Sequence, residues 1–476
     1  MKKLNELFEN VSDIEVQGIQ TDSRYVKSGD LFVCIKGHTV DGHDFVEQVI
    51  EKGAVAIVSE KELNHVNLPV VVVKDTTLEL ARLCDVFYES PTSILEVHGI
   101  TGTNGKTTTA CVLNHLLNTC GINSGYIGTN GITYNGLTKE NKNTTPEALT
   151  LQRTLSDMIE AGVQEVAMEV SSHALSLHRT DYCQFKTAIF TNLTPEHLDF
   201  HANMEEYYNE KKKLFTQLKE SGLAIINIDD VYGKRLYAEC LGKVACLTFS
   251  IHEESDFKVS DIHYHEAGTS FTVTYRGKKT RVQSPLIGEF NIYNALGAMI
   301  AVCQTKGITA RLVDALAKIP VIDGRMELIN EGQNFMAVVD YAHTPDGVEQ
   351  LLKCASKLGK DKVRVVIGCP GDRDKTKRPV IAKIATDYAD DVIFTTDDPH
   401  SEAPEDILHE MLIGLSNTNY QIILDRVKAI EEAVQRTKEN ELLIIAGRGH
   451  QKLQYWSTGN IELDDRVVVR NFLKAI

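Results

Sequence analysis

The sequence predicts an α/β protein of three domains, and three observations support this prediction. The 476 residues exceed the size of one ordinary domain, and 42% of them are hydrophobic, enough to fill several cores. Short apolar runs alternate with helical stretches along the whole chain, as in sheets of parallel strands. Polar, motif-like residues follow the apolar runs directly, where open parallel sheets bind ligands at the carboxyl ends of their strands. We therefore expect the motifs to share one face.

The N-terminal domain is predicted over residues 1–92. Three β-rich runs, DLFVCIK (30–36), AVAIV (54–58) and PVVVV (69–73), are separated by helical stretches. Short apolar runs bounded by turn signals are typical of buried strands. This part of the chain is therefore expected to form a small α/β unit that ends near Pro91.

A larger central domain is predicted over residues 93–326. The apolar runs LEVHGI, EVAMEV, TAIFTNL and GLAIINID alternate with helical stretches, which indicates a parallel sheet. The section at 257–285 has a more antiparallel pattern, and the helical segment IGEFNIYNALGAMIAV follows it. We expect the domain to end near Gly324.

The C-terminal domain is predicted over residues 327–476. Its apolar runs are FMAVVD, VRVVIG, DVIFTT and ELLIIAG, again with helices between them. This pattern favours a Rossmann-like unit. The complete prediction is a central parallel-sheet domain flanked by a small N-terminal α/β domain and a Rossmann-like C-terminal domain.

Composition limits the classes of partner. The formal net charge of -16 argues against a surface that coats nucleic acid, so a phosphate ligand must be held by local positive groups and backbone N–H donors. The ten cysteines are scattered without a CxxC pair, which favours buried reduced thiols over a zinc site. An apolar stretch of membrane-spanning length is missing, and the first residues lack the apolar core of a signal peptide. We expect a cytoplasmic protein without membrane insertion.

A glycine loop follows the run LEVHGI and precedes a helical stretch. Gly102 and Gly105 allow the backbone to approach a polyphosphate, and the helix start points N–H groups at it. Lys106 adds a positive charge, and Thr107 offers a hydroxyl to Mg²⁺. The spacing departs from GxxxxGK[ST], because Ile100 stands at the place of the first glycine. A lone glycine loop is often only a turn, but the flanking strand and helix favour a nucleotide site.

Two further strand ends carry candidate metal ligands. Glu169 is the second-last residue of the run EVAMEV, and His197 comes shortly after the run TAIFTNL. Carboxylate oxygens and imidazoles near a phosphate loop suit an Mg²⁺ ion that bridges ATP and an activated carboxylate. Each residue alone is more often a helix cap or a surface group. The helical stretch 204–219 carries three adjacent lysines, which composition alone assigns to a solvated face.

Several of these segments resemble one enzyme family. The loop TGTNGKTT, the segment EVSSHAL and the segment TNLTPEHLDFH are similar to those of Mur ligases, and the loop also to that of folylpolyglutamate synthetases. TDSR near the start and the loop NTTPE resemble segments of the tripeptide-synthetase members of the Mur family. Folylpolyglutamate synthetases do not share this resemblance. The resemblance extends from TDSR to LDDR at 463–466, across nearly the whole chain.

The resemblance implies an ATP-dependent acid–amino-acid ligase of cell-wall precursor synthesis. Such an enzyme adds a third amino acid to UDP-N-acetylmuramoyl-L-alanyl-D-glutamate through an acyl phosphate, with ATP and Mg²⁺ as cofactors. The implied partners are this nucleotide-linked dipeptide and a free amino acid, and the expected state is a monomer. Three alternatives stay open: another amide ligase of the superfamily, a non-catalytic nucleotide-binding paralogue, and an unrelated P-loop kinase or NTPase.

The resemblance also implies roles for individual residues. The ATP site is Gly102, Thr103, Asn104, Gly105, Lys106, Thr107, Thr108, Asn294, Arg325 and Asp340. The metal ligands are Thr107, Glu169, His197 and Lys211, the last as a carbamate. The catalytic groups are Lys106, His197, Lys211 and Arg325. The nucleotide-linked dipeptide is held by Ser23, Thr144, Thr145, Ser171 and Arg179. The amino acid is held by Arg373, Asp397, Asp398, His400, Gly447 and Gln451.

The identity of the third amino acid depends on two segments that depart from the family pattern. Ligases for meso-diaminopimelate typically show DNPR and GKGHE, whereas this chain has DDPH, ending at His400, and GRGHQ, ending at Gln451. Pro370 also replaces a usual glycine. Because Asp398 suits a side-chain ammonium, we expect L-lysine. Diaminopimelate and L-ornithine stay open, since a protonated His400 pairs with a carboxylate.

Overall fold

The computed structural model describes residues 1–37, 40–64 and 66–475 of the chain. Their main sheets have four, eleven and six strands and follow one another along the sequence. This arrangement confirms the predicted three-domain α/β fold. Each sheet lies inside one of the three predicted ranges, whose end points stay predictions.

The N-terminal domain contains a four-stranded parallel sheet in the order β3-β4-β5-β6. Asp75 begins the last helix, because its carboxylate accepts hydrogen bonds from the backbone N–H groups of Thr77 and Leu78. The strands are β1 (Lys2–Lys3), β2 (Glu15–Val16), β3 (Gly18–Gln20), β4 (Asp30–Val33), β5 (Ala56–Ser59) and β6 (Val70–Val72). The helices are α1 (Leu4–Leu7), α2 (Val46–Glu51) and α3 (Thr76–Phe87), with a 3-10 turn at Gly42–Phe45.

The central domain has one sheet with a parallel core. Its helices are α4 (Pro91–Ile94), α5 (Lys106–Thr119), α6 (Ala148–Glu160), α7 (Ser172–Ser176), α8 (Met204–Thr216), α9 (Val231–Cys240), α10 (Glu289–Cys303) and α11 (Ala310–Leu316). Its strands are β7 (Glu96–Thr101), β8 (Ser124–Gly128), β9 (Gly131–Tyr134), β10 (Leu137–Lys139), β11 (Glu165–Glu169), β12 (Phe185–Phe190), β13 (Leu218–Asn227), β14 (Ala245–Ser250), β15 (Phe257–His265), β16 (Gly268–Tyr275) and β17 (Lys278–Ser284).

Strand β7 lies in the middle of this sheet, between β11 and β12 and parallel to both. Strands β15, β16 and β17 pair antiparallel, as their pattern predicted. Helices α5 and α10 pack together over one face in a common apolar core. The carboxyl ends of β7, β11 and β12 therefore deliver their following residues to one edge of the sheet.

One predicted helix is shorter than expected. The lysine-rich stretch 204–219 is helical only to Thr216, and strand β13 begins at Leu218. The helix ends there because the next residues pair with the sheet. The carbonyl of Gln217 accepts a hydrogen bond from the N–H of Phe185 at 2.9 Å. Lys219 then reaches across the sheet to the carbonyl of Leu95, at 3.1 Å. These long-range contacts override the local helical pattern.

The C-terminal domain has a six-stranded sheet in the order β18-β19-β23-β20-β21-β22, parallel except for β18. Apolar clusters cover both of its faces, as in a doubly wound fold. The strands are β18 (Glu327–Ile329), β19 (Met336–Asp340), β20 (Val363–Ile367), β21 (Asp391–Phe394), β22 (Tyr420–Ile422), β23 (Leu442–Ala446), β24 (Leu453–Gln454) and β25 (Ile461–Glu462). The helices are α12 (Pro345–Ser356), α13 (Lys377–Tyr388), α14 (Pro404–Leu412), α15 (Arg426–Arg436) and α16 (Asp465–Leu473).

The ten cysteines are free thiols, of which seven are buried and three are half-buried: Cys111, Cys120 and Cys246. Within the described ranges, no helix is both long and apolar enough to cross a membrane.

Candidate active site

The glycine loop lies between the end of β7 and the start of α5. Gly102 has a φ of +149° and Gly105 a φ of +87°, a region of backbone space that side chains disfavour. A Cβ on Gly102 would also overlap the hydroxyl of Thr191, and one on Gly105 would overlap the side-chain oxygen of Asn294. Both positions therefore require glycine, and the loop is packed closely against α10.

Lys106 is folded over this loop. Its Nζ donates hydrogen bonds to the carbonyls of Gly102 and Thr103, both at 2.9 Å. Loss of water contact lowers the pKa of Lys106, while the nearby Glu169 carboxylate opposes that effect. The lysine nitrogen is thus held at the mouth of the loop, where a polyphosphate would replace the two carbonyls as its partner.

A cavity of about 340 Å³ opens beside the loop, between the central and C-terminal domains. It brings together residues that lie far apart in the sequence, and both domains contribute to its walls. The predicted ATP residues among its lining are Asn104, Gly105, Thr108, Asn294, Arg325 and Asp340. The side chain of Asn104 also donates a hydrogen bond across the domains to Asp346, at 2.7 Å.

Arg325 lies on the segment that connects these two domains. Its guanidinium donates to the hydroxyl of Thr107 at 3.1 Å and lies 4.6 Å from the ring centre of Tyr341. The Nε atom is buried without a partner among the described residues. Arg325 therefore reaches from the connecting segment to the phosphate loop.

Asp340 lines the cavity and also holds the connecting segment in place. Its two carboxylate oxygens accept the backbone N–H groups of Met326 and Ala342, at 2.6 and 2.7 Å. Burial raises the pKa of this carboxyl group. Asp340 thus fixes the connecting segment beside Arg325, and its predicted contact with ATP stays a prediction.

Glu169 and Thr107, two predicted metal ligands, are in direct contact. The Thr107 hydroxyl donates to the buried Glu169 carboxylate at 2.9 Å. Tyr126 donates to the same carboxylate at 2.6 Å, and the backbone N–H of Thr129 does so at 2.9 Å. Tyr126 and Thr129 could not be predicted from sequence, because a tyrosine in an apolar strand and a threonine shortly after it are ordinary residues there.

His197 forms part of a group of imidazoles after β12. Its ring lies 4.7 Å from that of His173 and perpendicular to it. Burial is the main cause that lowers the pKa of His197 to about 2. Burial likewise lowers the pKa of His173 to about 4. Both rings are therefore neutral near pH 7, the form of imidazole that binds metals.

Lys211 differs from the two lysines that follow it. Only 1% of Lys211 is exposed, and its Nζ donates to the carbonyl of Gly102 at 2.8 Å. Lys212 and Lys213 form ion pairs with Glu239 and Glu210, whereas Lys211 has none within the described residues. Burial lowers the pKa of Lys211 well below its usual range, and the charge of Lys106 adds to this effect. Burial therefore favours the uncharged form of this amine next to the phosphate loop.

The predicted Mg²⁺ ligands are of mixed types. In the described part of the chain, no group of three or more His, Cys, Asp or Glu side chains could hold a metal ion. The predicted set instead combines the hydroxyl of Thr107, the carboxylate of Glu169, the imidazole of His197 and Lys211. A lysine carbamate adds the second anionic oxygen donor that Mg²⁺ prefers. The modification requires an uncharged amine, and the burial that lowers the pKa of Lys211 favours that form.

Four of the predicted dipeptide-binding residues form one cluster. The Thr145 hydroxyl donates to the carbonyl of Glu169 at 2.9 Å and accepts the N–H of Ser171 at 3.1 Å. Arg179 donates to the carbonyl of Thr145 at 3.0 Å. The hydroxyl of Thr144 lies 3.1 Å from that of Thr129, which also contacts Glu169. This cluster is therefore directly connected to the candidate metal site.

Ser23, the fifth residue of that set, lies in the N-terminal domain after β3. It is buried, and its carbonyl accepts a hydrogen bond from Lys52 at 2.7 Å. In the described residues it makes no hydrogen bond to the Thr145 cluster. Its predicted contact to the nucleotide end of the substrate stays a prediction.

Asp398 is partly engaged by the protein, which weakens the argument that led to L-lysine. Its carboxylate is buried, and one of its oxygens accepts a hydrogen bond from the Nε of Arg448 at 3.2 Å. Arg448 is itself completely buried, and it also donates to the carbonyls of Leu453 and Leu463. Because Arg448 also lies 3.7 Å from the carboxylate of Asp465, two acids share its positive charge.

The other predicted amino-acid contacts surround this buried pair. Asp397 is buried with one carboxylate oxygen unpartnered in the described structure, and a side chain on Gly447 would reach that oxygen at 2.5 Å. The half-buried His400 ring stacks on Tyr455, with ring centres 5.7 Å apart. Arg373 is exposed, and Gln451 is half-buried. Arg373 is therefore the most exposed of these groups, and His400 and Gln451 are partly accessible to a ligand.

The parallel sheet, the glycine loop and the cavity beside it define a P-loop nucleotide-binding protein. Three family models cover most of the chain: "Mur ligase family, catalytic domain" at 15–88, "Mur ligase middle domain" at 100–302, and "Mur ligase, glutamate ligase domain" at 324–449. The chain belongs to the Mur ligase family. It is an ATP-dependent acid–amino-acid ligase.

Individual relatives agree over nearly full length. A UDP-N-acetylmuramoyl-L-alanyl-D-glutamate–2,6-diaminopimelate ligase of Bacillus cereus is 44% identical, over 96% of this chain and 94% of its own. The ligase of that name from Geobacillus thermodenitrificans is also 44% identical, over 97% and 95%. A solved structure of a ligase with this name superposes with a TM-score of 0.72 at 30% identity, covering 100% of this chain and 99% of the other.

Proposed function

We propose that this ligase adds meso-2,6-diaminopimelate to UDP-N-acetylmuramoyl-L-alanyl-D-glutamate in peptidoglycan biosynthesis. The names of the relatives support the nucleotide-linked dipeptide as substrate, and they favour diaminopimelate over the L-lysine expected from sequence. These names carry the choice, and the site agrees with it in one respect: one oxygen of Asp398 is paired with Arg448, so less of its negative charge is left for a lysine ammonium. His400 remains able to donate a hydrogen bond to a distal carboxylate.

The proposed reaction has two steps. A D-glutamyl carboxylate oxygen attacks the γ-phosphorus of ATP, which breaks the bond to ADP and forms an acyl phosphate. The amine of the third amino acid then attacks the acyl carbon, loses a proton, and displaces inorganic phosphate. Lys106 and Arg325, both beside Thr107 on the phosphate loop, lie where negative charge develops on the transferred phosphoryl group.

Mg²⁺ would be held by Thr107, Glu169, His197 and carboxylated Lys211. When bound, the ion supplies charge neutralisation between the ATP phosphates and the substrate carboxylate. The Lys211 amine adds to the carbon of CO2 and releases one proton, giving the carbamate. Tyr126 and Thr129 hold the Glu169 carboxylate in place through hydrogen bonds of 2.6 and 2.9 Å. A cytoplasmic location and a monomeric state belong to this proposal as further expectations.

ADP release with a panel of amino acids tests the choice of substrate. We expect kcat/KM with meso-diaminopimelate to exceed that with L-lysine or L-ornithine by at least about 100-fold, since one missing charged contact costs about 3 kcal/mol. The assay uses the complete enzyme, ATP, Mg²⁺ and the UDP-linked dipeptide. A preference for L-lysine or L-ornithine would overturn the choice of amino acid. ADP release without any amino acid would instead contradict the ligase reaction.

The exposed Arg373 gives a second prediction. Replacing Arg373 by alanine is expected to raise the KM for the amino acid about 10- to 100-fold, because a guanidinium clamps a carboxylate through two hydrogen bonds. The KM for ATP should stay unchanged, because Arg373 is not among the residues that line the cavity beside the loop.

Lys383→Ala is the matched control for Arg373→Ala. Lys383 is an exposed cation in the same domain, paired with Asp387 on its own helix. Equal changes of the KM for the amino acid in the two variants would show that Arg373 acts only through the charge of the protein surface.

A further inference from the structure

We propose that Tyr207 is a positioning residue that holds Lys211 against the phosphate loop. The inference rests on the proposed role of Lys211 and assigns a function to a side chain outside the predicted site. Tyr207 lies one helical turn before Lys211 on α8, so the two side chains share one face of the helix. The Lys211 nitrogen lies 4.6 Å from the centre of the Tyr207 ring.

The lysine is thereby enclosed from two sides. The carbonyl of Gly102 in the phosphate loop accepts a hydrogen bond from the Lys211 nitrogen at 2.8 Å, and the Tyr207 ring packs against that nitrogen. Only 1% of either side chain is exposed. Packing of this kind restricts a long lysine side chain to few rotamers, so its nitrogen keeps one place relative to the loop.

The tyrosine hydroxyl is itself attached to the loop, and the direction of that hydrogen bond follows from its neighbours. The Thr103 hydroxyl donates to the carbonyl of Thr194 at 3.1 Å and accepts the N–H of Thr194 at 3.0 Å. A hydroxyl has one proton to donate, so its remaining contact, to the Tyr207 oxygen at 3.2 Å, must be one in which it accepts. Tyr207 therefore donates to the phosphate loop.

A third contact involves the loop that follows β12. The His201 ring lies 5.0 Å from the Tyr207 ring and is tilted by 31° to it, while the His197 ring centre is 6.2 Å away. From its place on α8, Tyr207 thus contacts both the phosphate loop and the histidine-bearing loop. These three segments carry Lys211, Thr107 and His197, so one aromatic ring sets the spacing of three proposed ligands.

The next residue on the helix is a matched control. Tyr208 is also buried, with no exposed surface. Its ring faces the other way, 5.5 Å from the ring of Tyr232 and 4.2 Å from the guanidinium of Arg235. Substituting Tyr208 therefore removes a buried tyrosine from the same helix without changing the surroundings of Lys211.

The experiment compares the full-length wild type with Tyr207→Phe, Tyr207→Leu and Tyr208→Leu. The first readout is the carbamate signal in ¹³C NMR after addition of ¹³C-bicarbonate, recorded without ATP or Mg²⁺. The second readout is kcat for ADP release together with the KM for ATP. Tyr207→Phe keeps the ring and removes only the hydroxyl, so it remains informative if the leucine variant does not fold.

We expect Tyr207→Leu to lose at least half of the carbamate signal and to lower kcat about 100-fold, with a smaller change in KM. Tyr207→Phe should retain the signal and lower kcat about tenfold, the effect of one lost hydrogen bond. Tyr208→Leu should retain the signal and most of the kcat, even if its Tm falls.

Three outcomes would overturn the inference. Wild-type signal and kcat in both Tyr207 variants would remove Tyr207 from the site while leaving the role of Lys211 intact. An equal loss in Tyr208→Leu would make the effect one of helix packing. A wild type that shows no carbamate signal would overturn the proposed carbamate itself, and the inference with it.

Discussion

Replacing Lys211 by alanine is expected to lower kcat by about 100- to 1,000-fold while the protein remains folded, comparable to losing one preorganised charge-stabilising group. The substitution removes the only lysine on α8 that is buried without an ion pair in the described residues. Because an unpaired buried amine is costly to keep, its removal leaves no charge stranded in the interior. The measurement is ADP release with all three substrates, together with Tm.

The adjacent lysine provides the comparison for Lys211. Lys212→Ala breaks an ion pair with Glu239 whose two side chains are about one-third exposed, at 35% and 32%. Such pairs contribute little, so its kcat should stay within about twofold of wild type. Unchanged activity in Lys211→Ala would refute the proposed metal site, whereas a parallel loss in Lys212→Ala would indicate a general dependence on the charge of the helix.

Replacing Arg448 by methionine is expected to destabilise the C-terminal domain by about 3–5 kcal/mol, the usual cost of removing one partner of a buried ion pair. The change leaves the buried Asp398 carboxylate without its cation. It also leaves the carbonyls of Leu453 and Leu463 without their donor. A three-domain chain does not necessarily unfold in one step, so the measurement is the shift of the thermal transition relative to wild type.

Two further variants make the Arg448 result specific. Arg470→Met removes an arginine that is 39% exposed and pairs with Glu327, and its Tm should fall by only a small fraction of the Arg448 shift. Arg448→Lys keeps the charge but has fewer donors, so it should fall between the two. Equal shifts for Arg448→Met and Arg470→Met would show that the pair with Asp398 contributes nothing to stability.

Much of the fold could be predicted because parallel strands buried on both faces are continuous apolar runs. LEVHGI, FMAVVD and ELLIIAG read as strands for this reason, and they form β7, β19 and β23. The three-residue strand β22 (Tyr420–Ile422) was missed, because so short a segment has no periodicity. The end of α8 was also missed, since it is decided by contacts of Gln217 and Lys219 with distant strands.

Candidate site residues could be predicted where their neighbours in the sequence indicate their role. A nucleotide-binding role could be predicted for Gly102, Gly105 and Lys106 because an apolar strand precedes them and a helical stretch follows them. The partners of Glu169 could not, because Tyr126 and Thr129 acquire their significance only when β8 and β11 lie side by side. Asp398 shows the same limit: its residue type suggested a free acid, but Arg448, which lies 50 residues further along the chain, pairs with one of its oxygens.

The position of Arg325 has a consequence for the junction between two domains. Arg325 belongs to the peptide that joins two domains, yet it contacts Thr107 of the phosphate loop at 3.1 Å. The proposed phosphate-binding group is thus carried by the same short segment that sets the orientation of the C-terminal domain. A change in the backbone at Arg325 would act on the phosphate loop and on the junction between the domains at the same time.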